Sequence, residues 1–352
     1  MLPMASPLRI LGKASFLLLV LALLVVGFVL AWFASWRSDE LALLDSASEI
    51  AETKKGRIEY VDRGEGPTLL VFHDAPGGYD QAMLLGSLFT DEDFHLVAPS
   101  RPGYLRTPLT TGRSLAEQAD AMAALLETLG IPRVAVLASS FGAPAAVYFA
   151  GRYPDKVSAL VLLSPAAETS AAEEMGLRVD LGQLVNDRLK GDFGAWLALA
   201  TLRKDPRKLL AGIVRAESHA TQAEGETLVD YILDQSEQRE WFESLIGTFV
   251  PPSAREAGVR NDLQQLRTSS QLPFEQVVVP TLIVHGTADK LIPISGSEAM
   301  AARIPGAIFH RIDGAGHLLE FGPKAAEVQS KVLEFLREHS GAQLGGEDEG
   351  DH

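Results

Sequence analysis

The chain contains no cysteine. Disulfides, thiolate metal ligands and thiol nucleophiles are therefore excluded from its 352 residues. Basic residues are in short supply: 31 Lys and Arg stand against 46 Asp and Glu, a formal net charge of −15. Nucleic acid is held by basic surfaces, so this balance argues against a nucleic-acid partner. The 8 histidines are scattered. No His-Glu-x-x-His run or paired carboxylate–histidine spacing occurs, so no metal and no cofactor is implied. Charge of either sign is missing from Ala14 to Trp36.

That uncharged run would form a helix of roughly 34 Å, enough for a hydrocarbon core of about 30 Å. Trp32 and Trp36 lie near one end, where interfacial aromatics belong. Arg9 and Lys13 precede the span, and Arg37, Asp39 and Glu40 follow it. The basic bias places the N-terminus on the cytoplasmic side and the rest of the chain on the non-cytoplasmic side. A cleaved signal peptide, releasing a secreted protein, is the alternative. Its apolar region should span only about 7–15 residues and end at small residues. This run is longer, and Trp32 and Phe33 are bulky where the cleavage site would fall. We expect residues 1–37 to contain a retained transmembrane anchor and 38–55 to be a helical or irregular connector. Residues 341–352 are acidic and lack an apolar period, as expected of a disordered tail.

Between these ends, the 47% hydrophobic content of the chain is ample for a core. The sharpest signal is Val134-Ala-Val-Leu-Ala-Ser-Ser-Phe-Gly-Ala143. An apolar run enters a turn of small-x-Ser-x-small type, then a helix-compatible segment. This is the pattern of a nucleophile elbow, which pushes a serine hydroxyl into a cleft. Ala138 stands in place of the first glycine and Gly142 is kept. Ser140 is the expected nucleophile, with Ser139 buried on the strand side. A serine hydroxyl needs a base, an orienting acid and an oxyanion site. Thr281-Leu-Ile-Val-His285 reads as a buried strand leading to Asp289, and Ala307 to Ile312 as a shorter strand leading to His317. The order Ser140, Asp289, His317 is that of the α/β-hydrolases.

From about Gly56 to Ser340 the chain resembles the α/β-hydrolase superfamily, with some likeness to proline iminopeptidases and esterases. The matching pieces are Gly64-Glu-Gly-Pro67, His73-Asp-Ala-Pro-Gly-Gly78, Ser100-Arg-Pro-Gly-Tyr104, the elbow, Gly286-Thr-Ala-Asp289 and Gly314-Ala-Gly-His317. The resemblance implies an α/β fold with a mostly parallel, doubly wound sheet over 56–340. Continuous apolar strands alternating with helices agree, since such strands are buried on both faces. Among the helices, Ser114-Leu-Ala-Glu117 reads as a capping box and Gly130 as a stop. The alternation ceases over about 166–274. Leu181, Leu184, Leu189, Trp196, Trp241 and Phe242 give this insertion a helical text, with Pro206 and Pro251-Pro252 as breaks. By resemblance it is a helical cap over the active site.

The implied chemistry is a serine hydrolase acting on a small-molecule carboxylic ester or amide. Ser140 attacks, His317 moves the proton and Asp289 orients the imidazole. The oxyanion hole is expected from the backbone N–H groups of Phe141 and, mapped through the resembled His-Gly-x-Pro pattern, Ala75. Asp74 stands where that pattern has glycine. A carboxylate facing a developing oxyanion opposes it, so Asp74 is expected to point away, to be paired, or to meet a cationic part of the substrate. His73 and His285 are read as structural. Alternatives on the same fold are an aminopeptidase-like enzyme, a carbon–carbon bond hydrolase, a cofactor-free peroxidase-type oxidoreductase and a non-catalytic ligand receptor. Apolar residues in the cap favour neutral acyl groups.

Overall fold

The computed structural model describes residues 7–90, 94–166, 191–202, 204–268 and 272–340, with side chains from Ser15 onward. The chain divides into two compact units at Leu44 and Asp45. The first consists of most of helix α1 (Pro7–Ser46), whose 40 residues make it about 60 Å long. Its membrane-length stretch, Ser15–Ser46, buries none of its apolar window. Phe16, Leu17, Leu24 and Phe28 are all well exposed.

The second unit is built on one eight-stranded sheet. Its strands are β1 (Glu49–Thr53), β2 (Gly56–Arg63), β3 (Thr68–Phe72), β4 (His95–Pro99), β5 (Val134–Ser139), β6 (Val157–Leu163), β7 (Thr281–Gly286) and β8 (Ile308–Ile312). The spatial order is β1-β2-β4-β3-β5-β6-β7-β8. β1 pairs antiparallel with β2 and β2 antiparallel with β4; all other pairs are parallel. Residues 38–55, expected to be a helical or irregular connector, are helical through Ser46 as the end of α1 and then include a strand, Glu49–Thr53, at one edge of the sheet. The alternation of Ile50, Ala51 and Glu52 was too short to distinguish a strand from a loop. Ala51 is the residue of this strand that reaches the core.

Strand β5 shows why the sheet must be covered twice. Val134, Val136 and Ala138 enter one apolar cluster, while Ala135 and Leu137 enter the other. Side chains alternate across a strand, so both sets are removed from water only if helices lie on both faces. Each fully buried Val or Leu contributes about 1.5–3 kcal/mol. One covering layer contains α3 (Leu115–Leu129) and α4 (Ala143–Arg152). The other contains α2 (Tyr79–Gly86) and the last helix, which spans Ala325–Ser340. Helix α3 begins as its sequence predicts: Ser114 and Glu117 cap each other reciprocally, and Gly130 closes the helix in the left-handed conformation.

The described part of the cap comprises α5 (Gly191–Leu202), α6 (Pro206–Glu217), α7 (Gln222–Asp234), α8 (Ser236–Gly247) and α9 (Glu256–Thr268). Pro206 opens α6 and Pro251-Pro252 separates α8 from α9. Leu210, Val229, Ile232, Phe242 and Leu245 form the cap's own core, joined by Phe321. Leu181, Leu184 and Leu189 lie outside the described residues, as does the acidic tail at 341–352.

Candidate active site

Ser140 sits on the turn between β5 and α4, with a backbone φ of +48°. Non-glycine residues rarely adopt this conformation, and here it projects the hydroxyl off the end of the strand. The turn is possible because Gly142 has no Cβ. A Cβ there would lie 2.4 Å from the Phe72 carbonyl oxygen at the end of β3. Ser140 is fully buried, whereas Ser139, expected to be the buried neighbour, is only half-buried. The elbow opens at the last residue of β5, so Ser139 lies where sheet coverage ends.

Asp289 and His317 reach the serine from the loops after β7 and β8. His317 Nε2 lies 3.1 Å from Ser140 Oγ, and His317 Nδ1 lies 2.8 Å from Asp289 Oδ2. Both oxygens of Asp289 are engaged. Oδ1 accepts the Leu291 and Ile292 N–H groups, each at 2.8 Å, and Oδ2 also meets His285 Nε2 at 3.0 Å. Burial would raise the pKa of Asp289, but the charge of His317 and the histidine hydrogen bonds hold it far below the carboxylate range. Burial would likewise lower His317, yet the charge and hydrogen bond of Asp289, with Glu217 and Asp74, raise it to about 9. His285 braces the acid and is itself held by Ser297. Ser164 Oγ donates to the His317 carbonyl at 2.8 Å and fixes the histidine loop.

The cap is attached to this machinery by its backbone. The Glu217 carbonyl, at the end of α6, accepts N–H groups from Lys290 and His317. His219 N–H donates to Ala288, and Ser218 forms an antiparallel bridge with Asp289. A cavity of about 600 Å³ lies between α6, α7 and the histidine loop. Its walls include Leu210, Val214, Leu228 and Phe321, and its polar lining includes Glu217, His219, Asp313, His317 and Lys324. That size and composition suit a small, largely apolar ligand.

The oxyanion side differs from expectation. Phe141 N–H does not face open space: it donates to Asp74 Oδ1 at 3.0 Å. The Ala75 N–H and the Ser140 hydroxyl also stabilise the charged form of this carboxylate. Loss of water raises the Asp74 pKa, opposed by His317 and these donors. Asp74 therefore neither points away nor pairs with a cationic side chain by direct contact. It sits on the N–H groups expected to receive an oxyanion. The loop that carries it is firmly held. His73 Nδ1–H donates to the Asp74 carbonyl and His73 Nε2 accepts Arg101 N–H, which fixes a neutral imidazole. Burial and the nearby Arg101 charge keep the His73 pKa well below its ordinary value. Arg101 forms a forked pair with Asp262 of α9 at 2.9 and 2.6 Å, and Arg255 pairs with Asp80.

Two carboxylates that the sequence did not single out complete the site, Glu217 and Glu320. Burial pushes each up to about 7, against the pull of His317. Each has a buried Oε2 without a hydrogen-bond partner. Glu320 follows His317 by three residues on the same loop, a proximity that could have marked it. Glu217 is distant in sequence, and no motif announces it. Among the described residues, no cluster of three His, Asp or Glu side chains is arranged to hold a metal ion.

Residues 67–321 match the model of the α/β-hydrolase fold family. The chain belongs to this family. This α/β-hydrolase is 27% identical over 284 residues to the Bacillus subtilis hydrolase YcgS, covering 80% of this chain and 95% of that one. It is also 27% identical over 287 residues to the 2-hydroxymuconate semialdehyde hydrolase of Pseudomonas putida, covering 80% and 91% respectively. An α/β-hydrolase fold protein from Nakamurella multipartita superposes with a TM-score of 0.73 at 28% identity, over 84% of this chain and 99% of that structure. Its named relatives are hydrolases, and the hydrolase assignment of this α/β-hydrolase rests on that kinship together with the site.

Proposed function

We propose that this α/β-hydrolase is a membrane-anchored serine hydrolase that cleaves a small carboxylic ester or amide through an acyl-enzyme on Ser140. The observation that carries the reading is the unbroken line from Ser140 Oγ through His317 to Asp289, at 3.1 and 2.8 Å. Ser140 Oγ forms the bond to the acyl carbon while its proton passes to His317 Nε2. His317 returns that proton to the departing alcohol or amine as the old bond breaks. Water then repeats the sequence, giving the free acid and restoring Ser140. Asp289 stabilises the imidazolium and fixes the ring by its bond to Nδ1. Phe141 and Ala75 N–H would receive the oxyanion once Asp74 has left them. A fluorophosphonate probe tests the reading: it should label the chain, and Ser140→Ala should end labelling without altering the circular dichroism spectrum. Labelling that survives Ser140→Ala would contradict it.

A carbon–carbon bond hydrolase is the second reading, favoured by the kinship with the Pseudomonas putida semialdehyde hydrolase. A panel of neutral esters against vinylogous diketone substrates separates the two. The anchor proposal rests on the exposed apolar surface of Ser15–Ser46. With Arg9 and Lys13 retained in the cytoplasm, the hydrolase unit lies on the opposite side. The protein should resist carbonate extraction and be cut by protease only where that face is accessible. A shortened soluble product would instead favour signal cleavage.

A further inference from the structure

The oxyanion hole of this protein is filled by its own chain. Phe141 N–H donates to Asp74 Oδ1 at 3.0 Å, and Ala75 N–H and the Ser140 hydroxyl act on the same carboxylate. A substrate carbonyl bonded to Ser140 must place its oxygen where that carboxylate lies. The two cannot occupy the hole together, and a carboxylate beside a forming oxyanion repels it. Asp74 thus takes the place that a bound acid product would take.

Removing Asp74 from the hole requires something for the carboxylate to meet. Among the described residues, the cations that act on this loop are committed. Arg101 is held by both oxygens of Asp262, and His317 is held by Asp289. The other groups acting on the His317 face are carboxylates, Glu217 and Glu320. Glu320 is only 6% exposed, and its Oε2 lacks a partner, as does that of Glu217. Three carboxyl groups besides Asp289 therefore act on one imidazole, and two have a buried oxygen without a hydrogen-bond partner. A polar oxygen buried without a donor loses its hydration uncompensated, so a bound donor is favoured there.

Resting on the serine-hydrolase reading, we propose that Asp74 determines substrate class: an ammonium-bearing ester or amide draws the Asp74 carboxylate from the oxyanion hole to meet its charge, with Glu217 and Glu320 adding to the negative field, and frees the Phe141 and Ala75 N–H groups. A neutral substrate lacks the group that holds Asp74 out. The electrostatics support the same order of events. The neighbouring carboxyl groups favour the imidazolium form of His317 against the effect of burial, raising its pKa to about 9, and so disfavour it as a base. A cation beside Asp74 and Glu217 weakens that stabilisation and makes His317 available to accept the serine proton.

The test uses the full-length protein in detergent and two isosteric esters, p-nitrophenyl butyrate and p-nitrophenyl β-alaninate. In the second an ammonium replaces the terminal methyl. The wild type should favour the β-alaninate in kcat/KM by about tenfold or more, after subtraction of spontaneous hydrolysis. Asp74→Gly empties the hole; since hole donors are each worth about 10²–10³ in rate, butyrate turnover should rise at least about tenfold and the preference should vanish. Asp74→Asn keeps the shape of the occupant without its charge, so it should remain slow on both esters and show no preference. A wild type that turns over butyrate as well as β-alaninate overturns the proposal, as does an Asp74→Gly protein no faster on butyrate. Fluorophosphonate labelling distinguishes the levels of failure. If Ser140 is labelled but the ester preference is absent, the Asp74 inference is wrong. If Ser140 remains unlabelled even in Asp74→Gly, with the fold intact by circular dichroism, the serine-hydrolase reading fails with it.

Discussion

The two sides of Ser140 are built from similar loops at the same end of the sheet, yet they are in different states. On one side, Asp289, His317 and Ser140 stand in a continuous hydrogen-bonded line. On the other, the Phe141 N–H is engaged by Asp74. Both loops are rigidly supported, the first by His285, Ser164 and the Glu217 carbonyl, the second by His73, Arg101 and Arg255. Rigidity alone therefore does not distinguish them. The difference is one side chain: a carboxylate where a glycine would leave the two N–H groups bare. A hydrogen-bonded Ser–His–Asp line and bare backbone N–H groups beside the serine are separable properties, and this molecule has the first without the second.

The largest expected effect breaks the triad side. Ser140→Ala should reduce hydrolysis by about 10⁴-fold or more, and His317→Ala should do nearly the same. The double variant should be little slower than either alone, because the residues act as a unit. Losses that multiply would show that the two side chains serve separate steps. Single and double variants measured on one ester decide this.

The next effect falls on the support of the Asp74 loop. Arg101 is 1% exposed and forks onto Asp262. Arg101→Met leaves the buried Asp262 carboxylate without its charged partner, with only the Tyr104 hydroxyl, among the described residues, donating to it, and such a loss costs about 3–5 kcal/mol. Urea unfolding should show a lower midpoint. An unchanged midpoint would mean that Asp262 finds other donors, and that His73 and Asp74 are held without the pair.

A subtler change sharpens the comparison through pH. His317 must be neutral to take the serine proton, and its pKa is raised to about 9 by Asp289, Glu217 and Asp74 against the opposing effect of burial. Activity on a neutral ester should therefore climb with pH through about 9. Asp74→Asn removes a negative charge that favours the imidazolium, so the pKa must fall and the acid limb must move to lower pH. An acid limb that stays in place, or moves upward, would show that Asp74 does not act on His317. Glu320→Gln should move it in the same direction by less. Glu320 is not among the leading groups that raise His317, although it interacts with it.

The sequence shows the triad side well because its geometry is written in local text. A strand followed by small-x-Ser-x-small forces a turn, and Gly142 is needed where Phe72 comes close. Asp289 follows the buried strand β7 and His317 the shorter, partly exposed strand β8, in the expected order. The capping box at Ser114 and the stop at Gly130 are equally local. The oxyanion side is less legible because it depends on a direction. Asp74 is conspicuous in the sequence, but where its carboxylate turns depends on the His73–Arg101–Asp262 ties, which join residues 161 positions apart. Glu217 approaches His317 only through the fold of the cap. The edge strand Glu49–Thr53 was hidden for another reason: few of its side chains meet the core, so its sequence carries little apolar alternation.

On the serine-hydrolase reading, Ser140 is a nucleophile facing an oxyanion hole that Asp74 occupies. The most direct measurement is the second-order rate of fluorophosphonate labelling in the wild type and in Asp74→Gly, because the phosphonyl oxygen must enter that hole as Ser140 attacks. Both proteins should be labelled at Ser140, faster by about tenfold or more in Asp74→Gly. Equal or slower labelling of Asp74→Gly, with its fold intact, would contradict it.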